Sequence, residues 1–359
     1  GATPLLEKGM PDLPKITAPL IIPVQPKMEV HAVSSDYLDH PFIDIAPSKG
    51  NFSRNINPAD VAYEYGRAYS RDEFFPQSQA GLREPYILRD YRGQTVIIYP
   101  FAYNPVSRTL RVYHSMTLEV VSAGTSSDNV LVRTQLPKVM DADYTKIYNR
   151  HFLNASDGSR YTPLEEQGNM LIICHGAFMA EMEDFIAWKK TIGIPVEMVD
   201  VATIGVNSTA IKNYVSEYYT TNGLTYLLLV GDNAQIPTVT TGSIGGPSDH
   251  AYGYLTGNDH YPEIFVGRFS AENATQVATQ VQRTLEYEQN PAITTDWFSK
   301  GVGIASDQGP GDDGEYDYQH IRNIRTDLLG FTYTTVAELY DGSQGGEDQP
   351  GSPNSTSVS

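Results

Sequence analysis

The sequence predicts an N-terminal all-β, β-sandwich-like unit over residues 1–160 and an α/β unit with a mainly parallel sheet over residues 161–359. Three observations carry this. Up to residue 160 the apolar runs are β-rich and broken by turn residues, with prolines punctuating the first 50 positions. Beyond it, short apolar strands alternate with segments of helical spacing, the pattern of a parallel sheet covered on both faces. The charge changes at the same place. Residues 1–160 hold 17 Lys and Arg against 17 Asp and Glu, whereas residues 161–359 hold 8 against 26 and carry the whole formal net charge of −18.

In the first unit, "TVIIYPFAY" (95–103) and "TLRVYHSMTLEVVSA" (109–123) read as strands on either side of an Asn-Pro turn. "PYILRDYRGQTVIIY" reads as a further strand pair about the Arg92-Gly93 turn. No amphipathic helix and no catalytic cluster stands out. "NASDGSRYTPLEEQ" (154–167) lacks apolar periodicity and reads as an exposed, cleavable linker with a lone Arg160.

The second unit opens with the strand "NMLIIC" (169–174) and a helix over 180–193 that Gly193 closes as C-cap. The strand "IPVEMVDV" follows, then a helix over 207–223 with an Asn/Ser cap. "TYLLLVGD" (225–232) is a fully buried strand and "EIFVGRFS" (263–270) another, with a helix over 272–290. The strand "GVGIAS" (301–306), the helix "YQHIRNIRTDLLG" (318–330) and the strand "YTTVAELYD" (333–341) continue the alternation. Residues 341–359 are polar and turn-forming: a tail, a surface loop, or the point where a longer protein was cut.

Bulk properties narrow the function. At 359 residues the chain can build two or three cores. No apolar run reaches the ~18 residues a membrane helix needs. No secretory leader is visible at Gly1, so any leader has been removed or never existed. An acidic second half argues against nucleic-acid binding, which needs a basic footprint. It suits calcium or basic substrates, or simply a solvated acidic surface.

In open parallel sheets, sites collect at the carboxyl ends of strands. Cys174 and His175 invite the label of catalytic dyad, but adjacent strand residues point to opposite faces. Cys174 continues an apolar run and reads as a small core residue. Asp259, Tyr261 and Glu263 lie on one side of an extended chain, so two carboxylates and a carbonyl can converge, with Asp232 as a third carboxylate. Hard oxygen ligands of this kind suit calcium; surface carboxylates at strand ends are the plainer reading. "DQGPGDDGEYD" (307–317) departs from the EF-hand pattern and reads as an acidic loop, a metal site or a pocket for a basic side chain. Asp317, directly ahead of a helix, is the best placed of its acids, and can equally serve as the helix cap.

At this point the residues resemble a known family. "IAPSKGNFSR" (45–54), "YILRDYRGQ" (86–94) and "YNPVSRTLRVY" (103–113) look like the prodomain of the gingipains, secreted bacterial cysteine peptidases, in their arginine-specific branch. "YTPLEE" (161–166), "TYLLLVGDNAQIP" (225–237), "SDHAYG" (248–253), "GNDHYPEIFVGRFS" (257–270) and "EYDYQH" (315–320) follow the catalytic domain in order. The resemblance implies a caspase–haemoglobinase-like three-layer fold and a prodomain boundary at Arg160–Tyr161, the activation cut. It implies a structural Ca2+ held by Asp232, the Gly257 carbonyl, Asp259, the Tyr261 carbonyl and Glu263. It implies Asp317 as the carboxylate that reads a substrate arginine, and Arg54 as a pseudo-substrate that fills that pocket in the zymogen. The family's catalytic His and Cys would fall beyond Ser359, in a longer chain or a companion chain. The position that orients the histidine falls on Asp307 or Gln308. The implied partners are proteins and peptides with Arg at the cleavage site, and the chain's own prodomain as inhibitor. The implied location is secreted or cell-surface. Two other readings compete: a calcium-binding secreted module or inactive relative acting by binding, and a free-standing β-sandwich adhesin over residues 1–160 with no affinity for the rest.

Overall fold

The computed structural model describes residues 2–53, 56–132, 139–155, 164–166, 168–241, 246–291, 296–310 and 314–341. The N-terminal half supplies β1 (Thr3–Pro4), β2 (Pro14–Ile21), β3 (Pro26–His40), β4 (Ala80–Leu82), β5 (Tyr86–Leu88), β6 (Tyr91–Ile98), β7 (Phe101–Asn104), β8 (Thr109–Thr125) and β9 (Val139–Asp141), then α1 (Ala142–His151). Two antiparallel sheets result. In one, β6 is central, with β2 on one side and β4 and β5 on the other; the second runs β3-β8-β7.

Two details differ from the sequence reading. The tight turn before β6 lies at Arg89–Asp90, because Leu88 pairs with Tyr91 and Tyr86 with Gly93. Arg92 and Gly93 are strand residues. Arg92 is 1% exposed and its guanidinium donates to the carbonyls of Asn129, Pro23, Pro26 and Asp128. Gly93 is required by packing: a Cβ there would come within 2.6 Å of the Tyr86 ring. The second difference is α1. Asp141 caps it by accepting from Asp143 N and Tyr144 N, and Tyr144, Tyr148 and Phe152 form its buried stripe and exit.

The C-terminal half opens on β10 (Leu164–Glu166), which pairs with β9, and continues β11 (Met170–Cys174), α2 (Glu183–Thr191), β12 (Val196–Asp200), α3 (Val201–Ile204), α4 (Ser208–Asn222) and β13 (Tyr226–Val230). The short pair β14 (Val239–Thr241) and β15 (Gly246–Ser248) precedes β16 (Phe265–Phe269), α5 (Ala274–Gln289), β17 (Lys300–Ala305), α6 (Asp317–Phe331) and β18 (Thr335–Tyr340). Asn207 and Asn273 cap α4 and α5 by accepting backbone N–H bonds. Gly193, at φ +90°, takes the left-handed conformation that ends α2.

A parallel sheet ordered β12-β11-β13-β16 forms the centre. Its side chains sort by parity, as pleating requires. Met170, Ile172, Cys174, Leu228 and Val230 pack with Phe185, Val277 and Val281 of α2 and α5. Leu171, Ile173, Leu227 and Leu229 pack on the other face with Ile211 and Val215 of α4. Helices thus cover both faces. The expected single sheet is not reached, however: β17 and β18 form a separate parallel pair. Gly301 and Gly303 sit against Tyr333, Ile321 and Tyr340, while Val302 and Ile304 face outward, 55% and 58% exposed.

Candidate functional site

Because β13 and β16 are parallel, the chain between them must travel from the carboxyl end of one to the amino end of the other. The Gly257–Glu263 loop completes that descent. Glu263 is fully buried; its Oε2 accepts from Leu255 N at 2.7 Å and Thr256 N at 3.0 Å. Its Oε1 has no partner among the described residues, and burial pushes the carboxyl up to about 7. Asp259 Oδ1 accepts from Tyr261 N and its Oδ2 from Ile87 N at 2.8 Å; burial raises this carboxyl as well. Gly257, at φ +79°, leaves open a space where a Cβ would lie 3.1 Å from Asp259 Oδ2. The Lys212 ammonium is committed to the Ala251 and Tyr254 carbonyls at 2.6 Å, and burial lowers it to about 8. A buried orphan carboxylate oxygen beside a second carboxylate fits a hard cation.

Asp232 does not join this group. It lies beyond the carboxyl end of β13, its N–H bonded to Ala271 O and its Oδ1 accepting from Ser270 Oγ. Glu263 lies ahead of the amino end of the neighbouring strand. Asp232 lies level with Ala271, eight residues beyond Glu263, so at about 3.3 Å per strand residue the two are roughly 26 Å apart along the sheet. Among the described residues no three His, Cys, Asp or Glu side chains converge as a metal cluster.

The same loop carries the junction between the halves, which the sequence reading did not assign. Arg89 Nη1 donates to Leu224 O and Glu263 O, both at 2.7 Å, and Nη2 to Thr225 Oγ1 at 3.2 Å. Its guanidinium lies 4.7 Å from the Tyr144 ring centre and 5.7 Å from that of Tyr219. Tyr86 stacks on Tyr261 at 4.0 Å, Asn258 N donates to Asn129 Oδ1, Tyr144 OH to Pro262 O, and Tyr226 OH to Asp143 Oδ2. These contacts give no support to the picture of residues 1–160 as a module with no affinity for the rest.

Asp317 is the first residue of α6, not its cap; Tyr316 holds the cap position, its N–H donating to Gln319 Oε1. The Asp317 carboxylate is half-buried, accepts from Ser306 Oγ at 2.6 Å, and stands where β17 ends. Its N–H donates to Gln308 O, and Gln308 N donates to Ser306 Oγ. Asp307 and Gln308 are both exposed. Arg54, Arg160 and Tyr161 lie outside the described residues.

Cys174 is fully buried in the α2/α5 face, and burial pushes its thiol up to about 12. Such a thiol is neither ionised nor reachable. Native protein should resist alkylation by iodoacetamide, and Cys174→Ala should cost about 1 kcal/mol in a denaturant melt. Rapid labelling of the folded chain would contradict this assignment.

Comparison with known proteins places these features. Residues 163–356 match Peptidase family C25, and residues 1–148 match Propeptide_C25. Gingipain R1 of Porphyromonas gingivalis is 39% identical over 345 residues, covering 94% of this chain and 34% of its own length. Gingipain R2 of the same species (strain ATCC BAA-308 / W83) is 38% identical over 343 residues, covering 93% of this chain and 46% of itself. The chain therefore spans less than half the length of these curated relatives. Among solved structures, the complex of Porphyromonas gingivalis RgpB pro- and mature domains aligns at 36% identity with a TM-score of 0.40, covering 44% of this chain and 77% of that one. The Arg-specific cysteine proteinase gingipain R (RGPB) aligns at 39% with a TM-score of 0.42, covering 51% and 44%. With a peptidase match over more than half of its residues and a propeptide match ahead of it, the chain belongs to peptidase family C25.

Proposed function

We propose that this chain is the prodomain and the first part of the catalytic domain of a secreted or cell-surface cysteine endopeptidase zymogen that cleaves after arginine. The observation that carries the reading is a propeptide region docked on a peptidase region within one chain, with 38–39% identity to gingipain R enzymes. The parity-sorted sheet with helices on both faces supports the caspase–haemoglobinase-like fold. In the complete enzyme a thiolate would attack the scissile carbonyl and a histidine would protonate the leaving amine. Asp307 or Gln308 orients that histidine. Asp317 reads the substrate guanidinium through charge-assisted hydrogen bonds. Cleavage at Arg160–Tyr161 activates the zymogen, and its substrates are proteins and peptides with arginine at the cut.

Calcium, in this reading, is held by Asp259 and Glu263 with the Gly257 and Tyr261 carbonyls, the orphaned Glu263 Oε1 being the observation that fits it. Bound there it would fix the loop as a structural ion.

In this reading Arg54, which lies outside the described residues, is the pseudo-substrate that Asp317 would receive in the zymogen. Arg54→Ala in the complete, uncut zymogen should raise arginyl-ester turnover at least about tenfold, as expected when one charge-assisted contact is lost. Initial rates before any linker cleavage test this, and turnover equal to that of the unsubstituted zymogen dismisses the pseudo-substrate role.

A further inference from the structure

We propose that Arg89 is the anchor by which the prodomain grips the peptidase half, in a docking seat formed by the amino ends of β13 and β16. None of the partners of Arg89 is Asp317, so this proposal and the pseudo-substrate reading fail independently.

The local backbone already singles out this residue. Arg89 sits at the tip of the β5–β6 turn at φ +47°, a left-handed conformation that glycine or asparagine adopts more easily. A side chain that costs strain at a turn tip is explained by what that side chain reaches. The tip projects the guanidinium between Tyr144 and Tyr219, with its side chain only 13% exposed. There it donates to Leu224 O, Glu263 O and Thr225 Oγ1, all belonging to the peptidase half. The acceptors at Leu224 and Thr225 precede β13, and the one at Glu263 precedes β16. One planar fork thus ties together two adjacent strand starts. Nη1 alone makes the Leu224 and Glu263 bonds, so a lysine could repeat those but not the separate Nη2 bond to Thr225 Oγ1.

The surroundings match the anatomy of a binding hot spot, a desolvated arginine ringed by aromatic and polar contacts that exclude water. Tyr86 on Tyr261 supplies the aromatic contact. Ile87 N to Asp259 Oδ2 and Asn258 N to Asn129 Oδ1 supply polar ones. Arg89 also lies 3.8 Å from its own neighbour Asp90. The rival view is therefore that it merely braces the prodomain hairpin.

Amide exchange separates the two. The N–H groups of Ile87 and Asn258 find these partners across the junction, so their protection reports docking. We expect Arg89→Ala in the full 359-residue chain to speed exchange at both by on the order of a hundredfold, while β8 and β11 stay protected. Arg89→Lys should fall between, and Tyr261→Ala, made on the opposite side, should open the same two amides. Arg54→Ala should leave both protected. Unchanged protection in Arg89→Ala would overturn the proposal. So would simultaneous opening of β6 and β8, which would make Arg89 a core residue of the prodomain. So would opening of both amides in Arg54→Ala. If Arg89→Ala does not fold, Arg89→Lys decides: selective opening of both amides sustains the anchor, and wild-type protection removes it.

Discussion

In the complete enzyme, Asp317→Asn should lower kcat/KM for arginyl esters by about a thousandfold, or roughly 4 kcal/mol of transition-state binding. The substitution isolates charge from position. Ser306 Oγ can still donate to the remaining side-chain oxygen, and the backbone bond from Asp317 N to Gln308 O is untouched. What disappears is the anion that, in the proposed reading, pairs with a substrate guanidinium. The fold should lose little, since one negative charge in the first turn of α6 contributes only about 0.3–1 kcal/mol. Initial rates on paired arginyl and neutral esters provide the check. A variant within threefold of the parent on the arginyl ester would show that another group reads the substrate.

The second large effect concerns Glu263. Its folded-state pKa of about 7 stands above the ordinary 4.5 because the carboxylate is desolvated. The folded chain therefore binds this proton more tightly than the unfolded chain. Without metal, stability should be greatest below about pH 4.5 as far as this group is concerned and fall as pH rises to about 7, by on the order of 3 kcal/mol. Glu263→Gln should abolish that slope and leave the metal-free variant more stable than the metal-free parent at pH 8. Calcium should do the reverse to the parent. It needs the ionised carboxylate, so it should raise the melting temperature more at pH 8 than at pH 5, and Glu263→Gln should lose the shift. Melts in chelator and in calcium at both pH values test this. Parallel pH curves, or a full calcium response in the variant, would remove Glu263 from the site.

What could be read ahead of the structure was local. Asn207, Asn273 and Gly193 mark helix ends through their own backbone chemistry, and the apolar runs around Ile172 and Leu228 declare buried strands. The helix at 142–151 was also written locally, in an Asp141 cap and a Tyr144/Tyr148/Phe152 stripe. Its apolar face is narrow and completes itself against Tyr86, Leu88, Tyr91, Met140 and Tyr261. The Arg92-Gly93 pair looked like a turn because glycine usually turns chains; here it makes room for a tyrosine ring. Asp232 was grouped with Glu263 as the end of a neighbouring strand and through the resemblance, although the parallel connection puts the two at opposite ends of the sheet. The junction leaves no local trace. Arg89 meets acceptors 135 to 174 residues away.

The seat that receives Arg89 presents two backbone oxygens, the Thr225 hydroxyl and the Tyr219 ring, none of which changes when the chain is severed between its halves. Severing alters only molecularity: a tethered partner becomes one that leaves and returns at a rate set by concentration. Any hold the seat keeps after severing is therefore set by concentration rather than by the tether.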